Sequence, residues 1–333
     1  MPKQKKKMAD LFVFSGQSNQ SLANAICDSI GVPLQVTHFE RFRNDNLWVQ
    51  LGESVRGKDV YIIQSLSAPV SDHLMELLMM INVARMGDAR RVSAVIPYFS
   101  YARSDKKDAP RVCITARLVA DLIETAGADR VITMMLHSAQ VHGFFGIPLD
   151  HLTSQSVFVD YFREKGYHAK DTVMVSPDVG FAKETAHLAR ALKLPVAIGT
   201  KQRMGDTDVR IDAILGSGRR ARRAIIYDDE IATGSSMITA MEVLREQGAK
   251  EFILACTHGV FTKDAAYNLS QIPDVIEIVT TDTVCIPQET RAISKLKVLS
   301  LAKVLGEGVK RNHKGKSMGD LFTFWPEKDD KED

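Results

Sequence analysis

Short runs rich in β-branched and apolar residues recur along the chain, separated by longer stretches of helical period. They are LFVF (11–14), VYIIQS (60–65), VSAVIPY (92–98), RVITMML (130–136), TVMVS (172–176), VAIG (196–199), AIIYDD (224–229), FILACTH (252–258) and EIVTTD (277–282). This alternation constrains the fold more than any other feature. A strand covered on both faces reads as a continuous apolar run, and parallel neighbours need a helical crossover to join them. The expectation is α/β: two related domains, each a mainly parallel sheet flanked by helices. SDHLMELLMMINVARMG (71–87) reads as a helix opening on a Ser-Asp cap, and ITARLVADLIETAGA (114–128) as one closing on a glycine. SSMITAMEVLREQGAKE (235–251) ends in the same way. ETAGADRVITMML (124–136) and REQGAKEFILACTHGVF (245–261) share a layout of helix, Gly-Ala turn, charged residue, buried strand and His, which suggests two halves of one architecture.

A length of 333 residues suits two domains, each with its own core. The loop-like IPLDHLTSQSV places a boundary near 150–156, giving domains over 8–155 and 156–310 and a C-terminal helix with a charged tail over 311–333. Hydrophobic residues at 45% and charged residues at 25% are those of an ordinary globular protein and exclude a disordered chain. No apolar run is long enough to span a bilayer, so no membrane partner is expected. A formal charge of +2, some of it in the solvated MPKQKKKMAD segment, gives no field for nucleic acid. That segment lacks the apolar core of a secretory signal, so a cytoplasmic setting is expected. Cys27, Cys113, Cys256 and Cys285 are too scattered for a zinc knuckle or a disulfide framework.

The chemistry concentrates in IIYDDEIATGSS (225–236). Two carboxylates at the C-terminal end of an apolar strand can accept hydrogen bonds from vicinal hydroxyls. The Thr-Gly-Ser-Ser turn that follows offers N–H groups and hydroxyls at a helix N-terminus, which suits phosphate. A sugar phosphate satisfies both. An Asp-rich loop whose Ser and Thr only cap the next helix also satisfies the window, which by itself leaves both readings open.

The stretch resembles the ribose-phosphate loop of type I phosphoribosyltransferase-fold proteins. SGQSNQSLANAI, FERFRNDNLWVQLGESVRGKDVYIIQS, APVSDHLMELLMM, AVIPYFSYARSDKKDAPR, LHSAQVHGFFGIPLDHL, VSPDVG, THGVF and KLKVLSLAKVLGEGVKR then resemble, in order, the ribose-phosphate pyrophosphokinase (PRPP synthetase) family across residues 11 to 322. The resemblance implies Mg²⁺-dependent transfer of diphosphate from ATP to the C1 hydroxyl of ribose 5-phosphate, giving phosphoribosyl diphosphate (PRPP) and AMP. It implies that Asp228 and Asp229 hold the ribose hydroxyls, and that Ala232, Thr233, Gly234, Ser235 and Ser236, with Arg203, bind the ribose phosphate. Phe42, Asn44, Asp45 and Asn46 match the adenine-contacting loop, and Arg103 with Ser104 the ATP polyphosphate loop. His137 matches the histidine at the ATP and metal site, and Asp178 a carboxylate beside diphosphate and Mg²⁺. GTKQRMG matches the mobile catalytic loop, with Lys201 and Arg203 as its basic pair. Members form dimers and hexamers, so a homo-oligomer is implied. Taken alone, most of these residues read as turn formers or solvated charges.

Departures gather around the same motifs. Met135 replaces an aspartate beside His137, Ser104 replaces glutamine, Asn46 replaces glutamate, Gly146 stands where some members carry an acid, and Ala232 and Ser235 alter the usual Asp-Thr-Gly-Gly-Thr turn. A thioether is a poor ligand for hard Mg²⁺. These changes keep two alternatives open: diphosphate transfer to another 5-substituted ribose such as ADP-ribose, and a weakly active or non-catalytic regulatory paralogue.

Overall fold

A computed structural model describes residues 8, 10–203, 209–216 and 221–322, with backbone only for 200–203 and 209–216. The lysine-rich start (1–7), Met204 and Gly205 of the basic loop, and the charged tail (323–333) lie outside the described residues.

The chain divides into two compact units. One runs up to Thr153 and takes in Thr283–Cys285 and the segment from Ser300; the other holds Ser154–Asp282 and Ile286–Leu299. In chain order the first contains β1 (Leu11–Ser15), α1 (Gln20–Ile30), β2 (Thr37–Arg41), β3 (Leu47–Leu51), β4 (Asp59–Ile63), α2 (Val70–Met86), β5 (Arg91–Ile96), α3 (Thr115–Ala126), β6 (Arg130–Met134) and β7 (Leu149–Leu152). The second contains α4 (Gln155–Lys165), β8 (Thr172–Ser176), α5 (Ala182–Leu192), β9 (Val196–Arg203), β10 (Val209–Gly216), β11 (Arg223–Ile231), α6 (Ser235–Glu246), β12 (Glu251–Gly259), α7 (Ala265–Gln271), β13 (Val275–Thr281) and β14 (Leu296–Leu299). Helix α8 (Ala302–Lys314) returns to the first unit.

In the first unit β1-β4-β5-β6-β7 form a parallel sheet, and β2 and β3 form a separate antiparallel hairpin. Alternate residues Phe14, Val60, Ile62, Val92, Ala94, Ile96 and Val131 share a core with Leu77, Met80 and Ile81 of α2 and Val119 and Ile123 of α3. Each of the larger side chains among them, once removed from water, contributes about 1.5–3 kcal/mol. On the other face the Tyr61 hydroxyl donates to Asn312 Oδ1 of α8 at 2.6 Å. A Cβ on Gly306 would lie 2.2 Å from Ser29 Oγ, so glycine is what lets α8 approach α1. Helix α1 starts where the Asn19 side chain accepts from Leu22 N–H and ends at Gly31 with φ 71°. Gly127 (φ 112°) closes α3 as its sequence predicts. Helix α2 differs from expectation: its cap position is Pro69, and Ser71 and Asp72 fall inside the first turn.

The second sheet has the order β10-β9-β8-β11-β12-β13-β14, parallel except where β10 runs antiparallel to β9. Val173, Val175, Ala224, Ile226, Phe252 and Leu254 pack with Met237, Ala240, Met241 and Leu244 of α6. Tyr227, pointing the other way, sits against the rings of Phe158 and Phe181. Both units are thus mainly parallel sheets flanked by helices. All four cysteines are free, Cys27 and Cys256 buried and Cys113 and Cys285 exposed. No described helix is long and apolar enough to cross a membrane.

Candidate active site

In the second unit, β11 is paired with β8 only as far as Ile226, but continues beside β12 to Ile231. The overhang carries Asp228 and Asp229 to the C-terminal edge of the sheet, where open α/β sheets bind their ligands. Both are buried, at 9% and 5% exposure, and the Asp229 N–H donates to Asp228 Oδ1 at 3.0 Å. Asp178 follows the end of β8; its Oδ1 accepts from Phe181 N–H at 3.2 Å, and its carbonyl accepts from Ser176 Oγ at 2.6 Å. Burial pushes the Asp228 carboxyl well above the usual carboxylate range, and the neighbouring charges of Asp229 and Asp178 push it further the same way. A carboxyl whose proton affinity is raised by burial and by neighbouring acids is one that hydrogen-bond donors or a cation would stabilise in its charged form.

The turn after β11 completes the arrangement. Gly234 has φ 81°, and a Cβ there would lie 2.9 Å from Leu269 Cδ1, so both backbone and packing require glycine. Thr233 Oγ1 lies 3.1 Å from Ser235 Oγ and accepts from Ser235 N–H at 3.4 Å. The Ala232 carbonyl accepts from Thr262 N–H, which ties the turn to the segment after β12. Thr233 and Ser235 are exposed and Ser236 is half-buried at the start of α6. The first N–H groups of a helix have no partner within it, so this turn presents donors and partial positive charge. Lys201 and Arg203 lie on β9, which pairs with β8 through Ser176↔Ile198, so the backbone carries them beyond the end of β8. Their side chains lie outside what is described.

In the first unit the nucleotide candidates occupy the hairpin tip and the ends of β5 and β6. The tip is closed by Phe42 N–H to the Asn46 carbonyl at 2.9 Å and Asp45 N–H to the Phe42 carbonyl at 2.8 Å. The Asn44 side chain accepts from Asn46 N–H at 3.3 Å, and Asp45 adopts φ 69°. The Phe42 ring is 49% exposed, free to stack on a planar base. Arg41, a residue the sequence reading passed over, donates to Asp45 Oδ1 and pairs with Asp72 of α2, both at 3.0 Å. That contact brings the tip to the start of α2, directly after the C-terminal end of β4. Arg103 ends a short 3₁₀ turn (Ser100–Arg103) after β5. The Ser104 hydroxyl donates to the Cys113 carbonyl at 3.1 Å and accepts from Thr115 N–H at 3.2 Å, closing the loop onto the start of α3.

His137 is exposed just beyond β6, preceded by Met135, 4% exposed and at φ 38°. The second residue missed by sequence reading is here: His151 Nε2 accepts the Leu136 N–H at 2.8 Å. Asp150 is committed to Arg130 at 2.8 Å. Among the described residues no group of three or more His, Cys, Asp or Glu forms a ready metal cage. Mg²⁺ does not need one, since it takes one or two carboxylates and completes its shell with water and substrate phosphate. The acids at Asp178, Asp228 and Asp229 fit that donor set; the Met135 thioether adds no hard oxygen beside His137.

Two family models match the chain, one for the N-terminal domain of ribose phosphate pyrophosphokinase over residues 11–127 and one for a phosphoribosyl synthetase-associated domain over 213–323. A relative from Streptomyces coelicolor is 48% identical over 96% of this chain and 99% of its own. The ribose-phosphate pyrophosphokinase of Deinococcus radiodurans is 46% identical, covering 95% of this chain and 99% of its own. The crystal structure of phosphoribosylpyrophosphate synthetase from Mycobacterium smegmatis matches with a TM-score of 0.84 and 36% identity, covering 92% of this chain and 99% of that one.

Proposed function

The chain belongs to the ribose-phosphate pyrophosphokinase family, and from that premise we propose that it transfers diphosphate from ATP to the C1 hydroxyl of ribose 5-phosphate, giving PRPP and AMP. The observation that carries this reading is the buried acid pair on the β11 overhang, followed at once by a left-handed glycine turn opening α6. Vicinal hydroxyls and a terminal phosphate are what those two features bind.

Asp228 and Asp229 accept hydrogen bonds from the ribose hydroxyls, while Thr233, Gly234, Ser235 and Ser236 cradle the 5-phosphate, with Ala232 at the entrance to the turn. Phe42 stacks on adenine, and Asn44, Asp45 and Asn46 read its edge. Arg103 places its fork on the polyphosphate beside Ser104, and His137 faces the same group. The C1 hydroxyl oxygen attacks the β-phosphorus in line, the bond between that phosphorus and the α–β bridging oxygen breaks, AMP leaves, and the hydroxyl proton passes to solvent. Lys201 and Arg203 neutralise charge that grows on the transferring group, and Arg203 also meets the ribose phosphate. Such positioning and charge stabilisation is the main catalytic work in phosphoryl transfer. His137 in the first unit and Asp178 in the second are each proposed as Mg²⁺ ligands alongside substrate oxygens, and the metal when bound would draw charge from the phosphates.

The first unit is the nucleotide domain and the second the ribose-phosphate domain. The protein works in the cytoplasm as a dimer-based homo-oligomer. Exposed apolar side chains on neighbouring helices support that assembly: Met75, Val83 and Met86 on α2 and Leu118 and Leu122 on α3.

Incubating the pure protein with ATP, Mg²⁺ and either ribose 5-phosphate or ADP-ribose tests the reading. AMP and PRPP should appear one for one with ribose 5-phosphate, and Lys201→Ala should lower kcat by roughly 10³-fold or more. Preference for ADP-ribose would move the acceptor. Absence of AMP at high enzyme would remove the activity.

A further inference from the structure

The turn that carries His137 is held from one side by the edge strand β7. The β6–β7 ladder stops at Met134↔Leu152. Beyond it the Met135 N–H still donates to the Leu152 carbonyl at 3.0 Å. The next donor, Leu136 N–H, has run past the backbone of β7 and is taken up by a side chain, Nε2 of His151, at 2.8 Å. Between these two bonds the chain passes through the left-handed region at Met135, φ 38°. A residue with a Cβ and a long side chain stays there only where its surroundings impose the conformation. Met135 and Leu136 are buried at 4% and 6% exposure, and the following residue, His137, is exposed at the C-terminal edge of the sheet. The reversal at Met135 therefore separates two residues anchored inward from one directed outward.

We propose that His151 is a positioning residue for the nucleotide end of the site, holding the Met135–His137 turn so that His137 is presented to the polyphosphate. The inference rests on the assignment of His137 to the nucleotide. Because Nε2 accepts from a backbone N–H, the ring proton sits on Nδ1. Without that acceptor the Leu136 N–H, on a buried residue, loses its partner and one of the two bonds flanking Met135 is gone. The left-handed turn then relaxes, and His137 goes with it. Glutamine at 151 can set its amide oxygen near the place of Nε2 and still accept the bond; leucine fills the space and cannot.

His151→Leu and His151→Gln in the full chain separate positioning from plain packing. Binding of a fluorescent ATP analogue, measured without ribose 5-phosphate, should weaken about tenfold in His151→Leu, the scale of one lost hydrogen bond, and return in His151→Gln. KM for ribose 5-phosphate should stay at the wild-type value in both, while the unfolding temperature falls by a few degrees in His151→Leu, whose buried Leu136 N–H is left without an acceptor, and returns in His151→Gln. Nitrogen-15 spectra of the imidazoles should give His151 as the Nδ1–H tautomer, identified by the signal that disappears in His151→Gln. Unchanged ATP affinity in His151→Leu, an Nε2–H tautomer, or equal losses for both substrates would each overturn the proposal. If wild-type protein binds the nucleotide analogue but makes no PRPP, the catalytic reading fails while the binding arm still decides the role of His151. If it does not bind the analogue, both fail.

Discussion

Asp228 shows how a single residue trades stability for binding. Burial first, then the charges of Asp229 and Asp178, raise its proton affinity in the folded protein. An acid whose folded pKa lies above its unfolded value binds more protons folded than unfolded. Stability therefore declines as pH rises from about 4, where the unfolded group ionises, through the folded value. Asp228→Asn removes that decline. At pH 7 to 8 in the absence of ligand its unfolding temperature should exceed that of the wild type by about 2–4 °C for each kcal/mol of repulsion relieved, and the two should converge below about pH 4. Differential scanning calorimetry across this range checks the sign. The same substitution weakens acceptance of a ribose hydroxyl, and kcat/KM for ribose 5-phosphate should fall by about 10–100-fold. A variant both more stable and less active marks a group kept for function.

Among the elements, the turn from β11 into α6 is the most exacting. At Gly234, φ 81° puts any L side chain into strained backbone, and Leu269 already fills the space a Cβ would take. Gly234→Ala should destabilise the second unit by about 1–3 kcal/mol and raise KM for ribose 5-phosphate, while binding of the nucleotide analogue is unchanged. A rise in ribose 5-phosphate KM with no stability change would mean that the turn adapts. This turn was legible in the sequence because two acids end an otherwise apolar strand and a glycine follows within a few residues. The interior strands were legible for the same physical reason: β4, β8 and most of β11 are buried on both faces and carry little but apolar residues. The hairpin strands THFER (37–41) and LWVQL (47–51) and the edge strands LDHL (149–152), VRIDAILG (209–216) and LKVL (296–299) escaped. Each is short or mixes charge into its pattern, because one side of an edge strand has no neighbour to cover it. Arg41 and His151 escaped for another reason. Their roles come from what they touch, Asp45 and Asp72 for one and the Leu136 N–H for the other, and sequence spacing carries no trace of either contact.

Across the molecule, two units each carry a parallel sheet with candidate ligand residues at its C-terminal edge, and α8 closes the first unit from far along the chain. A buried carboxylate pins that helix: Asp59, 1% exposed at the start of β4, accepts from Arg91 Nη2 at 2.6 Å and Arg90 Nε at 2.9 Å and lies 2.8 Å from His313 Nδ1. Burial pushes its carboxyl up, but the bonds from Arg91 and Arg90 outweigh burial and hold it well below the usual carboxylate range. A depressed folded pKa gives stability that is present above about pH 4 and is lost as pH falls toward the folded value. Asp59→Asn should lower the stability of the first unit at pH 7 by roughly 2–4 kcal/mol, below the full cost of breaking a buried pair because both guanidinium groups are half in water. Denaturant titration at pH 7 and in strong acid reads this directly, since the difference should shrink in acid. Transfer of two phosphates as one group is the central step of the proposed reaction. ATP labelled at its β-phosphorus and incubated with ribose 5-phosphate, Mg²⁺ and this protein should deliver the label to the C1 diphosphate of PRPP and leave AMP unlabelled. Label retained in ADP or ATP, or released as inorganic diphosphate with no C1 ester formed, would contradict it.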